Sequence, residues 1–129
     1  VSGEEVTGNA FVRSHRDLEV WQKAMDLAVE IPRSTEAMPK SEIYGSTGQI
    51  RRAAASVPAN IAEGSGRRTT RGLLHFLSIA AGSLREVDTF LELIDRLGFD
   101  VPTQPLFARC EEVGRLLSGL TRSLRRKLP

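Results

Sequence analysis

The sequence predicts an all-α protein, an up-down-up-down antiparallel four-helix bundle that assembles as a homo-oligomer. Three observations carry that fold class. Apolar residues recur at steps of three and four along four stretches of helical length, no segment alternates with the period of two that a strand requires, and the connections between the stretches are short. At 129 residues the chain holds one core and therefore one domain. Residues 1–16 are expected to be a flexible N-terminal extension and 17–129 the bundle.

The first helix starts after Asp17, an N-cap candidate, and repeats Leu18, Trp21, Met25, Ala28 and Val29 at helical spacing. Pro32 is expected to kink or end it. In the connection MPKSEIYG, Pro39 breaks the helix and Ser41 is placed to cap the next one. The second helix covers 44–63 and is expected to stop at Gly64 and Gly66. The third opens at Thr69 or Thr70 and runs to Leu97, with Leu73, Phe76, Leu77, Ala80, Leu84, Val87, Leu91 and Ile94 as its apolar stripe and Gly98 as its end. In the fourth, Leu106, Cys110, Val113, Leu117, Leu120 and Leu124 alternate steps of four and three, which is a heptad seam.

The second helix carries three distinct faces when its residues are set about 100° apart. Ile50, Ala54, Val57 and Ile61 face the core. Gln49, Arg52, Ser56, Asn60, Glu63 and Arg67 form a polar stripe rich in groups that gain from specific partners. Arg51, Ala55, Ala59 and Ala62 form a face of methyl groups, for which Ser78, Ala81 and Gly82 of the third helix are a matching small surface. Pro58 removes the N–H owed to the carbonyl near Ala54, and the Asn60 amide is expected to compensate. A polar stripe and an alanine face on one helix exceed the needs of one small bundle, so Gln49, Arg52, Ser56, Asn60 and Glu63 are candidates for an interface between copies or for a structural motif.

Charge points to a second site. The net charge is only +2, but residues 51–129 hold thirteen basic and eight acidic side chains, against five and eight in residues 1–50. Fifteen of the eighteen basic residues are arginine, whose planar fork suits phosphate and carboxylate. Up-down-up-down topology gathers Arg13, Arg16, Arg67, Arg68, Arg71, Arg122, Arg125, Arg126 and Lys127 at one pole, with Glu36, Glu42, Asp95 and Asp100 toward the other. Capping of two helix ends accounts for only part of that cluster. Arg67, Arg68, Arg71, Arg122, Arg125, Arg126 and Lys127 are therefore the candidate nucleic-acid-binding residues.

Catalytic patterns are weak by comparison. Ser56, Asn60 and Glu63 share a face without a histidine or lysine to act as base. Glu111 and Glu112 point apart, and His75 borders the third helix's apolar stripe. The YGSTGQ turn lacks the lysine of a P-loop, and Cys110 reads as core packing. One cysteine and two histidines leave no metal-ligand spacing, and no catalytic residue, metal or cofactor is expected. The start VSGEEVTGNAF reads as neither a basic leader nor a signal segment, and no apolar run approaches the roughly 20 residues of a membrane span. The cytosol is the expected compartment.

The runs LEVWQKAMDLA, GQIRRAAASVPANIAEGSGR and FLSIAAGSLREVDTFLELIDRLG together resemble the four helix bundle protein family, also called the 23S ribosomal RNA intervening sequence protein family. The resemblance covers about 17–99. Pro32 stands where that family usually has an aromatic or aliphatic residue, and Ser46 where it usually has leucine. The family is similar to the accessory protein of diversity-generating retroelements, a pentamer of four-helix bundles that works with reverse transcriptase and nucleic acid. The resemblance thus implies a homopentamer without known enzymatic activity. The expected function is a non-enzymatic oligomeric scaffold that binds RNA or another polyanion through its basic pole and presents it to a protein partner, with no membrane contact. The alternative is an enzyme or small-molecule binder with a pocket at the subunit interface around Asn60 and Glu63.

Overall fold

The computed structural model describes residues 14–129. Its four helices are α1 (Glu19–Ser34), α2 (Ser46–Ser65), α3 (Thr70–Arg96) and α4 (Thr103–Arg125), with short 3-10 turns at His15–Asp17 and Lys40–Glu42. No strand occurs among the described residues. Each helix packs on its two chain neighbours around the bundle, α1 meeting both α2 and α4, and the α2–α3 pair makes the most extensive contact. Short connections force neighbours to run antiparallel. Pairs along the seams agree: Arg51 near the start of α2 reaches Thr35 after α1, while Gly64 at the end of α2 meets Leu73 and Phe76 at the start of α3.

The core is one cluster of aliphatic side chains. Ile50, Ala54, Val57 and Ile61 of α2 are fully buried, as their spacing predicts, and Leu73, Leu77, Leu84, Val87, Leu91 and Ile94 face them from α3. Leu106, Cys110, Val113, Leu117 and Leu124 close the seam from α4, with Leu120 half-buried beside them. In α1 the buried track is Val20, Ala24, Leu27 and Ile31, not the expected Met25 and Val29, which are exposed. Two apolar tracks lie side by side on that helix. Only the first continues on the same face to Thr35, which is 1 % exposed.

The helix ends differ from expectation in instructive ways. Leu18, not Asp17, is the N-cap of α1; Asp17 instead accepts from the Ser14 N–H at 3.3 Å, closing a capping box around the 3-10 turn. Ser14 and His15, within the segment 1–16, thus belong to a capped turn. Pro32 neither ends nor breaks α1, which continues to Ser34. Arg51 secures that end, donating from Nε to Thr35 Oγ1 at 3.1 Å and from Nη2 to the Pro32 carbonyl at 3.4 Å. Ser41 lies within a 3-10 turn, and α2 starts at Ser46 behind Gly45 without a side-chain cap. Gly66 ends α2 as expected and Gly98, at φ +78°, follows α3, where left-handed backbone favours glycine.

Gly64 does not stop α2 but is buried inside its last turn. A Cβ there would stand 2.8 Å from Phe76 Cβ and 3.0 Å from Leu73 Cδ1, closer than carbon atoms pack. Its function is close approach. The flank of α2 that meets α3 carries Ser56 and Gly64, so the expected alanine face is not the contact with α3: Ala55 and Ala59 are exposed.

Candidate polyanion-binding pole

The basic residues converge because α2 ends, α3 begins and α4 ends at the same pole. Arg71 and His75 from the first turns of α3 line one open depression with Arg125 and Leu128 from the end of α4. Arg122 and Arg125 line an adjoining trough between the two helices, joined there by Arg85. Arg68, Arg126 and Lys127 are exposed around it. Among the described residues, Arg68, Arg71, Arg85, Arg122, Arg125, Arg126 and Lys127 make no ion pair. Four of them (Arg122, Arg125, Arg126 and Lys127) crowd the carbonyl end of α4, where cations are favoured. The amino end of α3 opens onto the same pole with Thr69 capping the Gly72 N–H at 3.0 Å and no acidic residue in the first turn. An anion there gains from both the guanidinium groups and the helix dipole.

Arg67 differs from the rest of the cluster. Its Nη2 donates to Glu63 Oε2 at 3.0 Å, and its guanidinium lies 4.5 Å from the centre of the Phe76 ring, so it is held against the α2–α3 turn. Arg16 stacks over Trp21 at 5.5 Å. Arg13 lies outside the described residues.

The polar stripe of α2 divides in two. Gln49, Arg52 and Glu63 are exposed, whereas Ser56 and Asn60 are half-buried and joined in one network. Asn60 Nδ2 donates to the Ser56 carbonyl at 2.8 Å and to Ser56 Oγ at 2.9 Å, and Ser56 Oγ is 2.9 Å from Ser83 Oγ of α3. The amide therefore serves Ser56 and the α2–α3 seam, not the Ala54 carbonyl that Pro58 leaves without its N–H. Asn60 and Glu63 spend polar atoms on Ser56 and Arg67, which weakens the case for a small-molecule site built on them.

Cys110 behaves as a core residue. Burial, reinforced by the Asp88 carboxylate, pushes its thiol up to about 12. A thiol so poised stays protonated and inert at neutral pH.

Arg85 escaped the sequence reading, although a signal for it exists. Arg71, Ser78 and Arg85 recur every seven residues on α3, as do Arg115 and Arg122, and Ser118 and Arg125, on α4. Steps of seven keep side chains on one flank of a helix, and these flanks adjoin the α3–α4 trough.

The fold and pole define a four-helix bundle with a concentrated, unpaired cationic end. Residues 16–119 match the model of the 23S rRNA-intervening sequence protein family, and the chain belongs to that family. Among solved structures it is similar to a protein of unknown function from the S23 ribosomal protein family of Bacteroides thetaiotaomicron, with a TM-score of 0.73 and 23% identity over 80% of this chain and 95% of that one. That likeness extends to the fold alone. No curated protein matches the chain. Among the described residues no helix is long and apolar enough to cross a membrane.

Proposed function

We propose that this protein is a non-enzymatic, homo-oligomeric scaffold of the cytoplasm that binds RNA or another polyanion through its basic pole. The observation that carries the reading is the convergence of Arg71 and Arg125 on one depression, ringed by Arg68, Arg122, Arg126 and Lys127, with no ion pair to any of them among the described residues. Cations left unpaired at this density repel one another, and a polyanion relieves that repulsion while releasing its own counterions. Arg67 contributes less because Glu63 already neutralises it.

Self-association is supported by a different surface. Exposed Met25 and Val29 on α1, together with exposed Ala55 and Ala59 on α2, offer small and apolar groups to a second copy, with Gln49 and Arg52 beyond them. The family resemblance suggests five copies, and a ring would multiply the basic field.

The test replaces Arg68, Arg71, Arg125 and Arg126 with glutamine, all exposed positions outside the core. Fluorescence anisotropy with generic RNA should show weakened binding across sequences, since phosphate contacts position a ligand without reading bases. Arg33→Gln, at the other pole beside Glu30, is the control and should bind as wild type. Unchanged affinity in the fourfold variant would reduce the cluster to helix capping.

A further inference from the structure

We infer that the trough between α3 and α4 is the track of a single RNA strand, which runs from the pole along Arg71, Arg125, Arg122 and Arg85. The inference rests on the pole being a polyanion site and adds the form of the ligand and its path. The trough has a volume of about 500 Å³ and shares Leu74, Ser78 and Arg125 with the depression at the pole, so the two form one channel.

The lining side chains decide between ligands. Leu77, Leu84 and Leu117 are at most 8 % exposed and make a buried floor. A ligand meets half-buried Leu74, the small Ala81 and Gly114, the hydroxyls of Ser78, Ser118 and Thr121, and the three arginines. Hydroxyls and guanidinium groups suit a sugar-phosphate backbone, and three cations beside them favour an anionic ligand over a neutral acyl chain. The trough itself has no aromatic side chain and His75 in the depression at the pole is the one ring along the lining, so base stacking is confined to the pole and the rest of the track is indifferent to sequence.

Dimensions point to one strand. Packed helix axes stand about 8–10 Å apart, and a trough between them receives a single backbone, not the two of a duplex. Arg71 and Arg85 are fourteen residues apart, or about 21 Å along α3, enough for on the order of four nucleotides. Beyond Arg85 the sign changes: Asp88, one turn on, acts on Cys110 of α4 through its charge. A carboxylate there ends the track.

The test uses a fluorescein-labelled oligouridylate of about twelve nucleotides and an RNA duplex of the same length, titrated by anisotropy at about 0.1 and 0.3 M salt. Wild type should bind the strand several-fold tighter than the duplex. Arg85→Gln should weaken strand binding roughly three- to tenfold and reduce the salt slope by about 0.7, the share of one phosphate contact on a single strand. Gly114→Leu fills the trough without altering charge. Its first added atom meets Leu84 Cδ2 at 3.6 Å, an ordinary contact, and it should weaken strand binding with the slope unchanged. If Gly114→Leu fails to fold, the exposed Arg85→Gln still decides. The inference is overturned if both variants bind like wild type while the fourfold pole variant is impaired, a result that leaves the pole reading intact. It is also overturned if the duplex binds as tightly as the strand, or if Gly114→Leu breaks the oligomer without touching RNA affinity, which would mean that another copy fills the trough. Absence of any RNA binding by wild type would remove the pole reading as well.

Discussion

Gly64→Ala isolates the close approach of α2 and α3. The added methyl would lie 2.8 Å from Phe76 Cβ, 3.0 Å from Leu73 Cδ1 and 3.3 Å from the Leu73 carbonyl oxygen. Carbon atoms rest at about 3.5–4.0 Å, so the helices must part by several tenths of an ångström to as much as about 1 Å. Overpacking of that kind costs about 1–3 kcal/mol. Against it stands the helix propensity of alanine, worth up to about 1 kcal/mol over glycine. The net expectation is a loss of about 1–2 kcal/mol. Gly82→Ala is the matched control because it lies inside α3 with nothing within 4 Å of its added Cβ. It should gain about 0.5–1 kcal/mol. Urea and thermal unfolding of the two variants should therefore diverge by about 1.5–3 kcal/mol, or roughly 5–15 °C in Tm for a domain of this size. If both variants were stabilised alike, the α2–α3 seam would not be as tight as the 2.8 Å approach requires.

Further expectations concern the polar groups and the buried thiol. Asn60→Ala removes both bonds to Ser56 and should cost about 1–3 kcal/mol, whereas Arg125→Ala at the exposed end of α4 should cost under about 0.5 kcal/mol; equal melting temperatures would mean that Asn60 is merely solvated. Arg51→Ala strips Thr35 and the Pro32 carbonyl of a donor and should lower stability by about 1 kcal/mol, checked by urea unfolding against the exposed Arg52→Ala. Cys110 keeps its proton in the folded state up to about 12, while the unfolded thiol titrates near 8.5. Its stabilising contribution is thus complete below about 8.5 and is lost as pH rises toward about 12. At about pH 8 a thiol reagent should label the native protein only as fast as it opens, and rapid stoichiometric labelling would contradict this placement.

Much of the bundle is legible from periodicity because a buried stripe constrains every third or fourth residue. Ile50, Ala54, Val57 and Ile61 show this, and so does the heptad seam of α4. Misreadings arise where local chemistry admits two uses. Gly64 after a long helix has the form of a stop signal, and only the position of Phe76, twelve residues on, makes it a packing site. Met25 and Val29 compete with Ala24 and Leu27 for the core face of α1, and a single helix does not reveal which track its neighbours cover. The basic pole follows from topology once four helices are granted. Its internal division does not: Arg67 is held by Glu63 and Phe76 while Arg71 makes no ion pair among the described residues, a distinction made by the turn between α2 and α3. Asn60 likewise needed Ser83 from another helix to complete its network through Ser56.

The most direct test of the account is the salt dependence of RNA binding by the wild-type protein. Arg68, Arg71, Arg122, Arg125, Arg126 and Lys127 are available at the pole. If roughly four to six phosphates are engaged per chain, a plot of log affinity against log salt should fall with a slope of about −3 to −4. A slope near zero, or no anisotropy change at micromolar protein in low salt, would contradict a polyanion site and leave the arginines as helix caps.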